Sequence, residues 1–230
     1  AQLHEPRRPV TRPLWRYDGG TPVPALPPPS ASAVDRIQRL AHPAWPHPPA
    51  AYDAAVALAT MELDDLLGLL VHPPPPPNTE LGRTLHTHDP TLWVRCVQVW
   101  VCLGLLHHRT DEPWPESTRR GVLLDLVWDV EDWISEAALF ALVTAAWVEP
   151  ALRVEVARIS AERLADAVGP ARRRPATITR SLAHLVLATP QAEPAAVEAA
   201  RHLLLGGGAG RRVSGPGRVS RFWRWLWRRG

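Results

Sequence analysis

From residue 89 onward, apolar positions recur at helical spacing, and prolines or capping residues interrupt them at regular intervals. Asp89-Pro90 reads as a helix opening, with Asp at the cap and Pro at the first helical position, where its missing N–H costs nothing. The helix predicted over 91–106 is apolar almost all round, Arg95 and Gln98 excepted, and such a helix belongs at the centre of a fold. HHRTDEPWP then reads as a loop. Pro115 is expected to open a helix over 116–127, and Asp129 to cap one over 130–147. Glu149-Pro150 opens 151–168, Arg174-Pro175 opens 176–188, and Glu193-Pro194 opens 195–205. Upstream, Ala33, Val34, Ile37 and Leu40 predict a short helix over 32–42. A longer one is predicted over 50–71, on a stripe through Leu58, Met61, Leu66, Leu69 and Leu70 that Glu62 interrupts. Strand alternation and hairpin signals are absent, so the expected class is all-α.

The pattern repeats. Glu-Pro recurs at Glu112-Pro113, Glu149-Pro150 and Glu193-Pro194, each time after an apolar helix ending in CLGLLHH (102–108), ALVTAAW (141–147) or HLVLATP (184–190). Those endings lie 39 and 43 residues apart. A helix-turn-helix unit recurring about every 40 residues resembles HEAT/armadillo-type repeats over 89–205, with 33–71 as a degenerate first unit. The resemblance implies stacked antiparallel helix pairs, a short α-solenoid. The mid-unit Asp and Arg pattern of HEAT repeats is poorly kept, and a compact helical bundle is the alternative.

Composition divides the chain further. Proline numbers 26, against about 5 % in average usage, and concentrates in 6–29 and in the run Pro73–Pro77. Residues 1–31 therefore read as an extended Pro-rich arm in which Trp15 and Tyr17 are the residues suited to docking. All 26 basic residues are arginine, and Phe, Tyr, Met, Ile and Asn are scarce together, the mark of a GC-rich genome more than of a selected chemistry. Charge is split: residues 1–205 carry 19 Arg against 23 acids, a balance of −4, whereas 206–230 carry seven Arg and no acid. The expected organisation is an arm (1–31), a helical domain (32–205), a Gly-rich linker (206–217) and an Arg/Trp-rich tail (218–230).

If the tail became helical, Arg221, Arg224 and Arg228 would share one face and Phe222, Trp223, Leu226 and Trp227 the other, with Trp225 between them and Arg229 beyond. That is the make-up of an interfacial amphipathic helix. It equally suits a groove on a partner protein, the acidic body of the same chain, or nucleic acid through arginine–phosphate contact and Trp stacking.

No catalytic or cofactor signature emerges. His86 and His88 lie at one end of the 91–106 helix, and His107, His108, Asp111 and Glu112 at the other. About 16 residues of helix span ~24 Å, so they cannot share an ion, and solvated loop histidines are expected. Asp125, Asp129, Glu131 and Asp132 surround Trp128 and Trp133 but suit a cap and a first helical turn. Cys96 and Cys102 read as buried apolar side chains in a reducing compartment. The longest apolar run, 137–148, is well short of the ~20 residues that span a bilayer. The expected function is a non-enzymatic scaffold for a protein partner, cytoplasmic, without metal or cofactor, in which Trp15, Trp114, Trp128 and Trp133 are candidate contacts and the tail is a second one. The alternatives are a membrane-surface protein held by the tail on anionic lipid, and a nucleic-acid-binding protein similar to HEAT-like DNA-repair glycosylases. The acidic body argues against the last.

Overall fold

A computed structural model describes residues 26–40, 56–88, 92–108, 112–128, 132–169 and 178–206, and among them there is no strand. The helices are α1 (Ala31–Arg39), α2 (Leu63–Val71), α3 (Glu80–His88), α4 (Leu92–His107), α5 (Thr118–Val127), α6 (Asp132–Val148), α7 (Arg153–Val168), α8 (Thr179–Ala188) and α9 (Pro194–Gly206). Short 3-10 turns at Trp114–Glu116 and Pro150–Leu152 lead into α5 and α7. The class is all-α, built of helices packed against one another in pairs.

The described prolines of both runs, in 26–30 and 73–77, are structural. Residues 26–30 (LPPPS) lie along one face of α2, the face of Asp65, Gly68 and His72. Ser30 donates its backbone N–H to Asp65 Oδ1 at 2.6 Å and its hydroxyl to Oδ2 at 2.8 Å. His72 Nε2 lies 2.9 Å from the Leu26 carbonyl oxygen. A Cβ on Gly68 would stand 3.0 Å from both Pro27 O and Pro29 N, so a glycine is what lets this segment in. Proline lacks the N–H but keeps a carbonyl that no ladder occupies. Those of the second run are used: Trp93 Nε1 donates to Pro74 O at 2.6 Å, and Gln38 Nε2 to Pro75 O at 2.9 Å.

Three expectations are corrected. The helix expected over 50–71 is not continuous: Met61 N–H closes a turn on Leu58 O, and Glu62 takes an extended conformation as N-cap of α2. A continuous helix would have driven the Glu62 carboxylate into the apolar stripe; breaking it leaves Glu62 exposed. Residues 80–88 form α3, so His86 and His88 lie in a helix and not in a loop. Pro115 sits within a 3-10 turn, and the cap of α5 is Ser117, whose hydroxyl accepts from Arg120 N–H. The caps expected at Asp129 and Arg174-Pro175 lie outside the described residues.

Downstream, alternate helices lie side by side. α4 packs on α6 and α6 on α8, while α5 and α7 pack on the same row and α7 touches α9. α6 is the central element, in contact with α4, α5, α7 and α8. Its inward positions are mostly small, Ala137, Ala138, Ala141, Ala145 and Ala146, so neighbours approach closely on several sides. α4 buries Trp93 and Trp100, whose rings meet edge-to-face at 5.5 Å. Gln98, polar in that apolar helix, donates to the end of α2 at Leu70 O, 3.2 Å away. Arg163 of α7, 1 % exposed, donates through Nε to Val127 O at 3.1 Å and to Ser135 Oγ at 2.8 Å. It joins α7 to the end of α5 and the start of α6, and places a cation at a helix C-terminus, where the dipole favours it.

Candidate interaction surface

The turns α4–α5, α6–α7 and α8–α9 lie along one edge of the stack, and side-chain bonds tie them together. Each first helix of a pair ends on a backbone carbonyl that a side chain from outside that helix or from a neighbouring pair satisfies. Leu106 O accepts from Arg119 Nη1 at 3.3 Å, Ala146 O from Arg153 Nε at 3.1 Å, and Ala188 O from Trp147 Nε1 at 2.8 Å. The acceptors are spaced by 40 and 42 residues, while the donors differ: Arg119 and Arg153 follow their acceptors in the chain and Trp147 precedes its own.

Ion pairs join successive pairs at the same edge. Arg119, 6 % exposed, places Nη2 2.9 Å from both oxygens of Glu149, and its guanidinium carbon lies 5.3 Å from the centre of the Trp114 ring. Arg120 is bonded to Glu155 through Nε (2.9 Å) and Nη2 (2.5 Å), and Trp114 Nε1 donates to Glu155 Oε2 at 2.8 Å. The Arg120 hydrogen bonds hold the Glu155 carboxyl below its ordinary value against the opposing effect of burial, and the same bonds raise Arg120.

Around this bonded seam the surface is apolar. Trp147 is 61 % exposed, Val148 64 % and Val154 77 %, with Leu187 and Ala188 beside them across the Trp147–Ala188 bond. Pro150 and Ala151 continue the patch through the turn, and Phe140 extends it two helical turns down α6. Among the described residues, Arg119, Arg120 and Arg153 of the edge are all engaged. Glu112, Glu116 and Glu193 are exposed on it, and among the described residues no salt bridge neutralises them. The edge is thus an apolar patch with an acidic rim.

Trp114 is half-buried and spends its indole N–H on Glu155. Trp128 is half-buried at the C-cap of α5, packed against the core. Trp133 falls in the first turn of α6. Trp15 and the tail residues 221–229 lie outside the described residues. The structure brings Trp114, not Trp128, to the turn edge, exposes Trp147, which the sequence groups with these tryptophans as partly core, and adds Val148, Val154 and Leu187. Of these, Val148 ends a run that reads as core; the signal that could have marked it is its place beside a Glu-Pro turn, where a chain reverses at the surface.

Among the described residues no group of three His, Cys, Asp or Glu is placed to hold a metal ion, and no helix is long and apolar enough to cross a membrane. Cys96 and Cys102 are both buried, and burial pushes the Cys96 thiol up to about 12. No protein-family model, no curated protein and no solved structure matches the chain.

Proposed function

We propose that this chain is a non-enzymatic protein-interaction module on HEAT/armadillo-like helical repeats, in which the turn edge carrying Trp147, Val148, Val154 and Leu187 receives a protein partner and the Arg/Trp tail makes a second contact. The observation that carries this reading is the exposed apolar patch on a pre-ordered edge. Arg119, Glu149, Arg120 and Glu155 beside it are held in ion pairs, so a partner meets a largely pre-ordered surface and little ordering entropy is spent on binding. The recurring carbonyl caps support the repeat reading, because a periodic contact follows naturally from a repeated unit.

The test is affinity capture by the full chain and by a Val148→Glu/Val154→Glu variant. Both positions are exposed, so helicity by circular dichroism should be unchanged. A partner protein retained by the parent chain and reduced at least about tenfold by the variant, the size of a hot-spot loss, fulfils the proposal. Co-sedimentation with anionic vesicles that disappears on deleting 211–230, with no protein captured, would replace it with the membrane-surface reading. Steeply salt-dependent duplex binding would replace it with the nucleic-acid one.

A further inference from the structure

We propose that the occupant of this edge in the resting chain is its own tail, residues 218–230, docked in cis. The inference rests on the turn edge being a binding surface.

Complementarity is the first argument. The edge offers exposed Trp147, Val148, Val154 and Leu187 inside a rim of Glu112, Glu116 and Glu193. Arg119 and Arg120 are committed to Glu149 and Glu155, and Arg153 to a carbonyl, so none of these three described arginines is spared for the rim. The tail is the converse object: five arginines and no acid, interleaved with Phe222, Trp223, Leu226 and Trp227. Apolar surface and opposite charge are both matched, which a lipid headgroup layer could not do, since an acidic rim repels anionic lipid.

Reach is the second. α9 begins at the turn edge and runs away from it for 13 residues, about 20 Å at 1.5 Å per residue. Residues 207–217 follow, eleven in all, five of them glycine (Gly207, Gly208, Gly210, Gly215 and Gly217). Extended, they reach up to ~36–40 Å, enough to return the tail to the edge where α9 started. A short Gly-rich tether holds its ligand at about millimolar effective concentration, so a weak intrinsic affinity suffices to keep the edge covered. A protein partner then competes with the tail and releases it as the second contact.

The experiment uses the purified full chain with a photoreactive benzoylphenylalanine in place of Trp223, irradiated at low micromolar concentration and mapped by mass spectrometry. The expected result is cross-linking within one chain to peptides containing residues 147–154 and 184–193, reduced at least fivefold when Val148→Ser and Val154→Ser are combined. Mixing isotopically heavy and light chains separates cis from trans contacts. Cross-links mapped elsewhere on the body, cross-links between copies, or a yield unchanged by the double substitution each overturn the proposal. So does cross-linking that forms with phosphatidylserine vesicles and not with the chain. Because no partner protein is present, a failure here is distinct from a failure to capture one.

Discussion

The indole N–H of Trp147 donates to the Ala188 carbonyl at 2.8 Å while most of the ring stays in water. One side chain thereby joins the ends of α6 and α8 and presents an apolar surface. These two roles separate by substitution. Trp147→Phe keeps a large ring but removes the bond, and should cost about 0.5–1.5 kcal/mol, the net worth of one hydrogen bond. Trp147→Ala should cost little more, because an exposed ring contributes little burial. Leu142→Ala, in the same helix and fully buried, should cost about 2–5 kcal/mol. Urea unfolding of the three variants checks the order; a Trp147→Ala loss equal to that of Leu142→Ala would show the ring to be core.

The Arg119–Glu149 pair is unequal in burial, 6 % against 32 % exposed, and this sets a direction. Glu149→Ala strands a buried guanidinium and should cost about 3–5 kcal/mol. Arg119→Ala leaves a carboxylate that can rehydrate and one carbonyl short of a donor, so about 1–3 kcal/mol is expected. Chemical denaturation of both single variants and the double variant measures it. The double variant should lie nearer Arg119→Ala than Glu149→Ala, since removing both charges leaves none buried alone.

The helices from α4 onward were legible because their apolar residues recur at helical spacing between Pro, Asp or Glu-Pro boundaries, and position in sequence translates directly into position in the stack. What sequence could not supply lies in long-range contacts. Glu-Pro marks where a chain turns, but nothing local says that Glu149 meets Arg119, or that Trp147 reaches Ala188. Residues 80–88 were missed because ELGRTLHTH has few apolar positions, two β-branched threonines and a glycine. Its start depends on Thr79, whose hydroxyl accepts from Gly82 N–H at 3.0 Å. The exposure of Val148 and Val154 was illegible for the opposite reason: both lie in apolar or amphipathic runs, and only the absence of a further described helix over them makes them surface.

Two helical glycines should respond to alanine with opposite signs. A Cβ on Gly82 would lie 2.1 Å from Pro77 O, a backbone atom at the end of the proline run, so Gly82→Ala must displace the entry to α3. A loss at or above the ~1–3 kcal/mol of ordinary overpacking is expected. Gly121, in α5, has nothing within 4 Å of its Cβ position. Gly121→Ala should stabilise by about 0.5–1 kcal/mol, because alanine loses less backbone entropy in a helix. Midpoints of thermal or urea unfolding read both; a neutral Gly82→Ala would show that the proline run gives way easily.

Acid should act through the Trp114–Glu155–Arg120 cluster. Glu155 is lowered from the ordinary 4.5, first by the hydrogen bonds from Arg120. A carboxyl whose folded value lies below its unfolded one binds protons more readily when unfolded. Its contribution is therefore complete above 4.5, and is lost as pH falls from there through the lowered folded value. Arg120, raised in the same pair, stays protonated throughout this range and adds no slope of its own. The expected outcome is a melting temperature nearly flat in this contribution from pH 7 to 5 and falling below 4.5. Glu155→Gln should lower the plateau and flatten the acid limb, leaving parent and variant to converge at low pH. If the two curves instead stay parallel down to pH 3, the Arg120 bond does not hold Glu155 in its charged form, and the joint between α5 and α7 depends on packing alone.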